Sequence, residues 1–270
     1  MVEKICFIGA GSMAESIIIG ILNKRFLTGS QIVVTNKNSE ERLTKLQNMY
    51  DIQVTADKKY AIDGAELIIL ATKPHDIGEA IDQVKTYIKP TQLVISVVAG
   101  IDTRFISERL GSKVPVVRVM PNTSASIGLS ATAITAGVHA RKTDLDLADS
   151  LFKTIGTTVI VEERDMHAVT GISGSGPAYF YYLVESMEKA AAQAGLDHTV
   201  ANDLITQTII GAGEMLKKSG ESASMLREKI TSPGGTTQAA IETLEENDFQ
   251  QLIIKCVDSA RKRSVELGDH

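Results

Sequence analysis

Read for apolar periodicity, the chain falls into two unlike halves. Up to about residue 160, short apolar runs of strand length alternate with segments whose apolar residues return every three or four positions. KICFIGAG (4–11), QIVVTNK (31–37), AELIILATKP (65–74) and QLVISVVAG (92–100) predict strands closed by Gly, Pro or polar residues. Between them MAESIIIGILNKRF (13–26), SEERLTKLQNM (39–49) and IGEAIDQVKTYI (77–88) predict helices. PVVRVMPNT (115–123), SATAITAG (130–137) and TTVIVEE (157–163) add strands, with DLDLADSLFKTIG (144–156) a helix before the last. This alternation predicts an α/β fold with a parallel sheet covered by helices on both faces.

Beyond about residue 162 the strand signals cease. AYFYYLVESMEKAAAQAG (178–195), HTVANDLITQTIIGAGEMLKKSG (198–220) and DFQQLIIKCVDSARKRSVELG (248–268) predict long helices, so the boundary is expected near 161, giving domains 1–160 and 161–270. Leu204, Ile205, Ile209, Ile210, Met215 and Leu216 spread apolar surface around much of one of these helices. A second copy of the chain is the expected cover; packing on the chain's own first domain is the alternative.

At 270 residues and 43% hydrophobic composition a sizeable core is within reach. A net charge of -5 without a basic run argues against nucleic acid and against an anionic membrane, and leaves a small molecule as the expected ligand. No eighteen-residue apolar run and no signal peptide are visible, and Cys6 and Cys256 lie far apart. A reducing, cytoplasmic setting is expected. The five histidines, at 75, 139, 167, 198 and 270, lack metal-ligand spacing, and no metal is expected.

The chemistry begins at Gly9-Ala10-Gly11-Ser12-Met13-Ala14, which ends the first strand and opens the first helix. It matches the dinucleotide fingerprint with Ala14 in the third glycine's place. Gly9 would make the tight turn and Gly11 would let the backbone approach a pyrophosphate. Ser12 and Met13 would offer it unpaired N–H groups. After the second strand, where an NAD binder usually carries an acidic residue, stand Thr35, Asn36, Lys37 and Asn38. Nothing there repels a ribose 2′-phosphate and Lys37 is placed to attract it, which points to NADP(H), with NAD(H) the second candidate. Ala71, Thr72, Lys73 and Pro74, and Val97, Val98, Ala99 and Gly100, fall at the carboxyl ends of strands, where such sheets bind ligands. Pro74 and Gly100 suit plain turns equally.

In the helical half, GSGP (174–177) lacks the residues of a nucleophile elbow or a Walker loop and suits a bent or restarted helix. Tyr179, Phe180, Tyr181 and Tyr182 are consecutive, so on a helix they point to different faces and cannot share one interface. Ser232, Pro233, Gly234 and Gly235 interrupt helical sequence before Thr236 and Thr237. Gly234 to Thr237 would form a nest of N–H groups and hydroxyls for a carboxylate or phosphate, or a plain turn with a threonine cap.

Taken in order, IGAGSMA (8–14), ATKPHDI (71–77), VVAGI (97–101), RVMPNT (118–123), ISGSGPAYFY (172–181) and ITSPGGTTQAAIETLEE (230–246) closely resemble pyrroline-5-carboxylate reductase over essentially the whole chain. The resemblance implies an N-terminal Rossmann domain and a C-terminal helical dimerisation domain. It also implies NADPH-dependent reduction of 1-pyrroline-5-carboxylate to L-proline, and dimers that assemble further, commonly into decamers. By position, Ile8 to Met13 and Ala71 to Pro74 resemble the family's cofactor segments, and Ser232 to Thr237 its substrate loop. Thr237 matches the threonine beside the substrate ring nitrogen. Asp57 departs from the pattern, where many members carry Asn near the cofactor ribose, and a carboxylate there would oppose a phosphorylated ribose.

Two rival readings fit the same build less well. A β-hydroxyacid dehydrogenase of similar build would need a lysine four residues after a glycine in the first helix of the second domain, but Phe180 follows Gly176 at that spacing. A non-catalytic paralogue that only binds NADPH is opposed by the intact cofactor and substrate motifs.

Overall fold

The computed structural model describes residues 2–37, 39–111 and 113–268; Asn38 and His270 therefore lie outside the described residues. The first part runs β1 (Ile5–Ile8), α1 (Ser12–Asn23), β2 (Ile32–Thr35), α2 (Glu40–Tyr50), β3 (Gln53–Val54), α3 (Lys58–Ile62), β4 (Leu67–Leu70) and α4 (Ile77–Asp82). It continues with β5 (Leu93–Ser96), α5 (Thr103–Leu110), β6 (Val116–Met120), β7 (Ser130–Ala136), α6 (Lys142–Phe152), β8 (Gly156–Ile160) and α7 (Met166–Val169). Helices α8 (Gly176–Gln193), α9 (His198–Lys218), α10 (Ala223–Lys229), α11 (Thr236–Glu246) and α12 (Phe249–Glu266) complete the chain.

The eight strands form one sheet in the order β3-β2-β1-β4-β5-β6-β7-β8. Successive strand residues feed opposite faces: Ile5, Phe7, Leu67, Ile69 and Ile95 enter one core with Ile17, Ile18 and Ile21 of α1. Cys6, Ile8, Ile68, Leu70 and Val94 enter the other with Ile77 and Ile81 of α4 and Ile106 of α5. This two-sided burial is why the strands read as unbroken apolar runs. Buried on that second face, the Cys6 thiol is pushed up to about 12, which makes it an inert packing group.

One strand departs from the expected parallel sheet. β7 runs antiparallel to β6, with Val117 opposite Ala136 and Met120 opposite Ala133. Only residues 121–129 join the two strands, which is too short for a crossover, and the turn closes on Gly128 at φ 75°. α6 then carries the chain back so that β8 pairs with β7 in parallel. The helix expected over 77–88 ends at Asp82 and passes into turns, while β3, α3 and α5 had no recognised signal.

Strands end at Ile160, but packing divides the chain later. One compact unit takes the chain up to Ser175 together with residues from Asp258 on; the other takes Gly176–Val257. α12 thus contributes its start to the second unit and its end to the first. There Ser264 Oγ lies 3.0 Å from His167 Nδ1. A Cβ added at Gly100, at φ 83°, would sit 3.1 Å from Leu267 Cβ. In the second unit α8 and α9 pack on one another, and Phe180, Tyr182, Leu204, Met215, Leu252 and Ile254 are exposed.

Candidate active site

The strand order reverses at β1, with β2 on one side and β4 on the other, so the crevice at the carboxyl ends of these three strands is the expected ligand site. A cleft of about 330 Å³ lies there. Its floor is Gly9, whose N–H donates to Thr35 O at 2.9 Å and whose φ is 111°. A Cβ at Gly9 would stand 2.4 Å from the Ala71 carbonyl oxygen, so the three strand ends meet too tightly for any side chain. Gly11 differs: its φ is -72° and a Cβ there would meet nothing within 4 Å. No protein neighbour needs that residue to be glycine, whereas a ligand lying against the start of α1 would. Ala14 is fully buried under the sheet, which fits its place in the fingerprint.

The first hydrogen bond of α1 runs from Glu15 N–H to Gly11 O at 3.0 Å, which leaves the N–H groups of Ser12 and Met13 without an intrahelical acceptor. Arg42 braces the loop from α2: its Nε donates to Ala10 O at 2.7 Å and its Nη2 to Glu15 at 2.6 Å, and Tyr50 Oη also donates to Glu15 at 2.8 Å. Partial burial pushes the Glu15 carboxyl up, but the Arg42 and Tyr50 hydrogen bonds together hold it below its ordinary range.

The residues present fit a nicotinamide dinucleotide. Besides the open side of Gly11, the Thr35 and Thr72 hydroxyls, both on residues lining the cleft, are buried without a protein hydrogen-bond partner. Buried hydroxyls are seldom left so.

The other expected cofactor residues divide. Ile8, Ala10, Asn36, Lys37, Ala71, Thr72 and Lys73 line the cleft; Ser12, Met13, Pro74, Val98, Ala99 and Gly100 do not. Val98 is core, and the close approach of Gly100 to the end of α12 accounts for its glycine without a ligand. Lys37 is occupied, because its Nζ pairs with the Glu79 carboxylate across the cleft. Asp57 does not line the cleft; its carboxylate caps α3, accepting from Lys59 N–H at 2.9 Å and Tyr60 N–H at 3.2 Å. Its expected opposition to a ribose phosphate therefore has a structural counterweight. Lys58 and Glu79 line the cleft too, though neither carried a motif.

In the second unit, the break before α11 is a turn with Gly234 at φ 71°. The Gly234 N–H donates to Gln238 Oε1 at 2.7 Å and the Gly235 N–H to Ser232 O at 3.0 Å. The expected four-residue nest is therefore narrower. Two of its donors hold the loop itself, and the first bond of α11, from Ala239 N–H to Gly235 O, leaves the N–H groups of Thr236, Thr237 and Gln238 without intrahelical acceptors. Both threonine hydroxyls stand at that helix start, and neither caps it.

RVMPNT contributes a buried charge that the sequence reading passed over. Arg118, 1% exposed, donates from Nη1 to Glu163 Oε1 at 2.6 Å, and Glu163 Oε2 accepts from Thr103 Oγ1 at 2.7 Å. Burial first, and the Arg118 charge second, hold the neighbouring His167 below its ordinary value. Among the described residues no group of three His, Cys, Asp or Glu side chains is placed to hold a metal ion.

Doubly wound sheet, glycine turn and cleft define a dinucleotide-binding protein of the Rossmann class carrying an appended helical unit. Residues 4–100 match the family described as NADP oxidoreductase, coenzyme F420-dependent, and residues 163–267 match pyrroline-5-carboxylate reductase dimerisation. The chain is 47% identical over 267 residues to pyrroline-5-carboxylate reductase 2 of Bacillus subtilis, covering 99% of this chain and 96% of that protein. Its fold is similar to the solved pyrroline-5-carboxylate reductase of Coxiella burnetii, with a TM-score of 0.92 at 34% identity over 100% of both chains. A Plasmodium falciparum pyrroline carboxylate reductase solved with NADP bound gives a TM-score of 0.90 at 28% identity, again over 100% of both. The chain belongs to the pyrroline-5-carboxylate reductase family.

Proposed function

We propose that this chain catalyses the NADPH-dependent reduction of 1-pyrroline-5-carboxylate to L-proline, as an oxidoreductase acting on a CH–NH group. The observation that carries the cofactor half is the open side of Gly11 beside unpaired N–H groups at the start of α1, at the switch point of the sheet. Bound there, NADPH supplies the hydride that reaches the ring imine carbon. Gly9 and Gly11 would shape the path of the pyrophosphate, the Ser12 and Met13 N–H groups at the start of α1 would meet its charge, and Thr35 and Thr72 would offer the buried hydroxyls.

The loop Ser232 to Thr237 takes the substrate carboxylate. Its anion donors are the N–H groups at the start of α11 and the hydroxyls of Thr236 and Thr237, held in place by the Gly234–Gln238 hydrogen bond. The ring iminium arrives already protonated, so its N–H donates to the Thr237 hydroxyl oxygen and no general acid is required. Positioning is then the main source of rate.

In this reading residues 1–160 are the cofactor domain and 161–270 the dimerisation and substrate domain. The exposed apolar side chains of α8, α9 and α12 are covered by a second copy, and dimers assemble further into a decamer. Two unpaired cysteines, Cys6 buried and Cys256 exposed, suit a cytoplasmic setting. No helix among the described residues is long and apolar enough to cross a membrane.

The test is absorbance at 340 nm with purified protein, NADPH or NADH, and racemic pyrroline-5-carboxylate, with proline assayed in the product. Substrate-dependent oxidation with proline formed is expected. Folded protein that binds NADPH but forms no proline would refute the assignment.

A further inference from the structure

The cleft holds a feature that neither the fingerprint nor the reaction requires. Lys37 follows β2, at the end of the strand where a dinucleotide's adenosine ribose is received, and with Lys58 and Lys73 it is one of three lysines lining the cleft. It is not free. Its Nζ bonds the Glu79 carboxylate from α4 across the cleft, and Glu79 Oε1 is held in turn by Gln83 Nε2 at 2.8 Å. Arg42, the nearby alternative from α2, is committed to Ala10 O and Glu15. Asp76 adds a second negative charge to the same wall.

We propose that Glu79 sets the discrimination between phosphorylated and unphosphorylated nicotinamide dinucleotides by holding Lys37. A 2′-phosphate, carrying about -1.5 to -2 charges at neutral pH, must take Lys37 from Glu79 and then lie near a carboxylate of like sign. An unphosphorylated ribose does neither. Glu79 therefore penalises NADPH selectively, narrowing its advantage over NADH and letting the enzyme accept both. The Lys37 and Glu79 side chains are 47% and 52% exposed, so the pair is solvent-screened and open to exchange, as a ligand-displaced contact must be.

The proposal rests on the cofactor reading above, and the measurement separates the two. Dissociation constants for NADPH and NADH are measured by titration of the reduced cofactor's fluorescence, in the wild type, E79Q, E79A, K37Q and the K37Q/E79Q double variant. Released from an exposed ion pair and from one screened like charge, NADPH is expected to bind E79Q and E79A roughly three- to tenfold more tightly, with NADH changed less than about twofold. K37Q weakens NADPH alone, and in its background the gain from E79Q shrinks, since no ammonium is left to free. The NADPH gain in E79Q also falls as salt is raised.

Equal shifts for both dinucleotides, no shift in either Glu79 variant, or an undiminished E79Q gain without Lys37 would overturn the proposal while leaving the cofactor site intact. Wild-type protein that binds neither dinucleotide would overturn the cofactor reading and the proposal with it.

Discussion

Two glycines of one turn should fail in opposite ways when each is replaced by alanine. At Gly9 the added Cβ would sit 2.4 Å from the Ala71 carbonyl oxygen, against an ordinary C···O approach of about 3.3 Å. The backbone there stands at φ 111°, which L side chains rarely adopt, so strain of roughly 1–3 kcal/mol adds to overpacking of about 1–3 kcal/mol. G9A is expected to lose about 2–6 kcal/mol of stability and on the order of 4–24 °C in Tm. At Gly11 the same methyl meets no atom within 4 Å at a φ of -72°, so the apo fold should change by less than about 1 kcal/mol. Its cost falls on the ligand, because the methyl occupies space a pyrophosphate would use, and NADPH affinity should drop on the order of tenfold or more. Melting by circular dichroism without cofactor and titration with NADPH separate the two effects. A G11A protein that binds NADPH as the wild type does would refute the reading of the open side of Gly11, and a G9A protein of unchanged Tm would refute the packing argument.

Four further outcomes are expected. E163A leaves the buried Arg118 guanidinium without its partner and should cost about 2–4 kcal/mol in urea unfolding, discounted because the Glu163 side chain is one-third exposed; R118M should be milder. Burial and then the Arg118 charge depress His167, so its contribution is complete above the unfolded value of about 6.5 and is lost as pH falls through the lower folded value; H167Q should flatten that part of the stability profile. The double substitution L252E/I254E puts charge at two exposed apolar positions of α12 and should shift the sedimenting species toward monomer. T237A should lower turnover on the order of tenfold or more while leaving the NADPH dissociation constant unchanged, and unchanged steady-state kinetics would remove Thr237 from the mechanism.

The doubly wound sheet was legible because each central strand is buried on both faces, and burial on both faces writes an uninterrupted apolar run. The glycine turn was legible because its neighbours are local: strand, turn and helix follow one another within residues 5–23. The direction of β7 is not written in its apolar pattern, which is the same for parallel and antiparallel strands; it follows from the length of the short 121–129 connection, which the sequence does show. Gly100 illustrates a limit of local pattern. Its position after a strand invited a ligand role, but what demands glycine is the end of α12, far along the chain.

By itself, then, the sequence determined the order of the main strands and long helices, the place of the dinucleotide turn and the loop before α11, because each depends on residues a few positions apart. Tertiary structure decided which charges in those places are free. Lys37 is claimed by Glu79 and Arg118 by Glu163. Whether a charged or polar group can serve a ligand depends on the partners that folding brings within hydrogen-bond reach. When those partners come from distant parts of the chain, as Glu79 and Glu163 do, no local pattern records them.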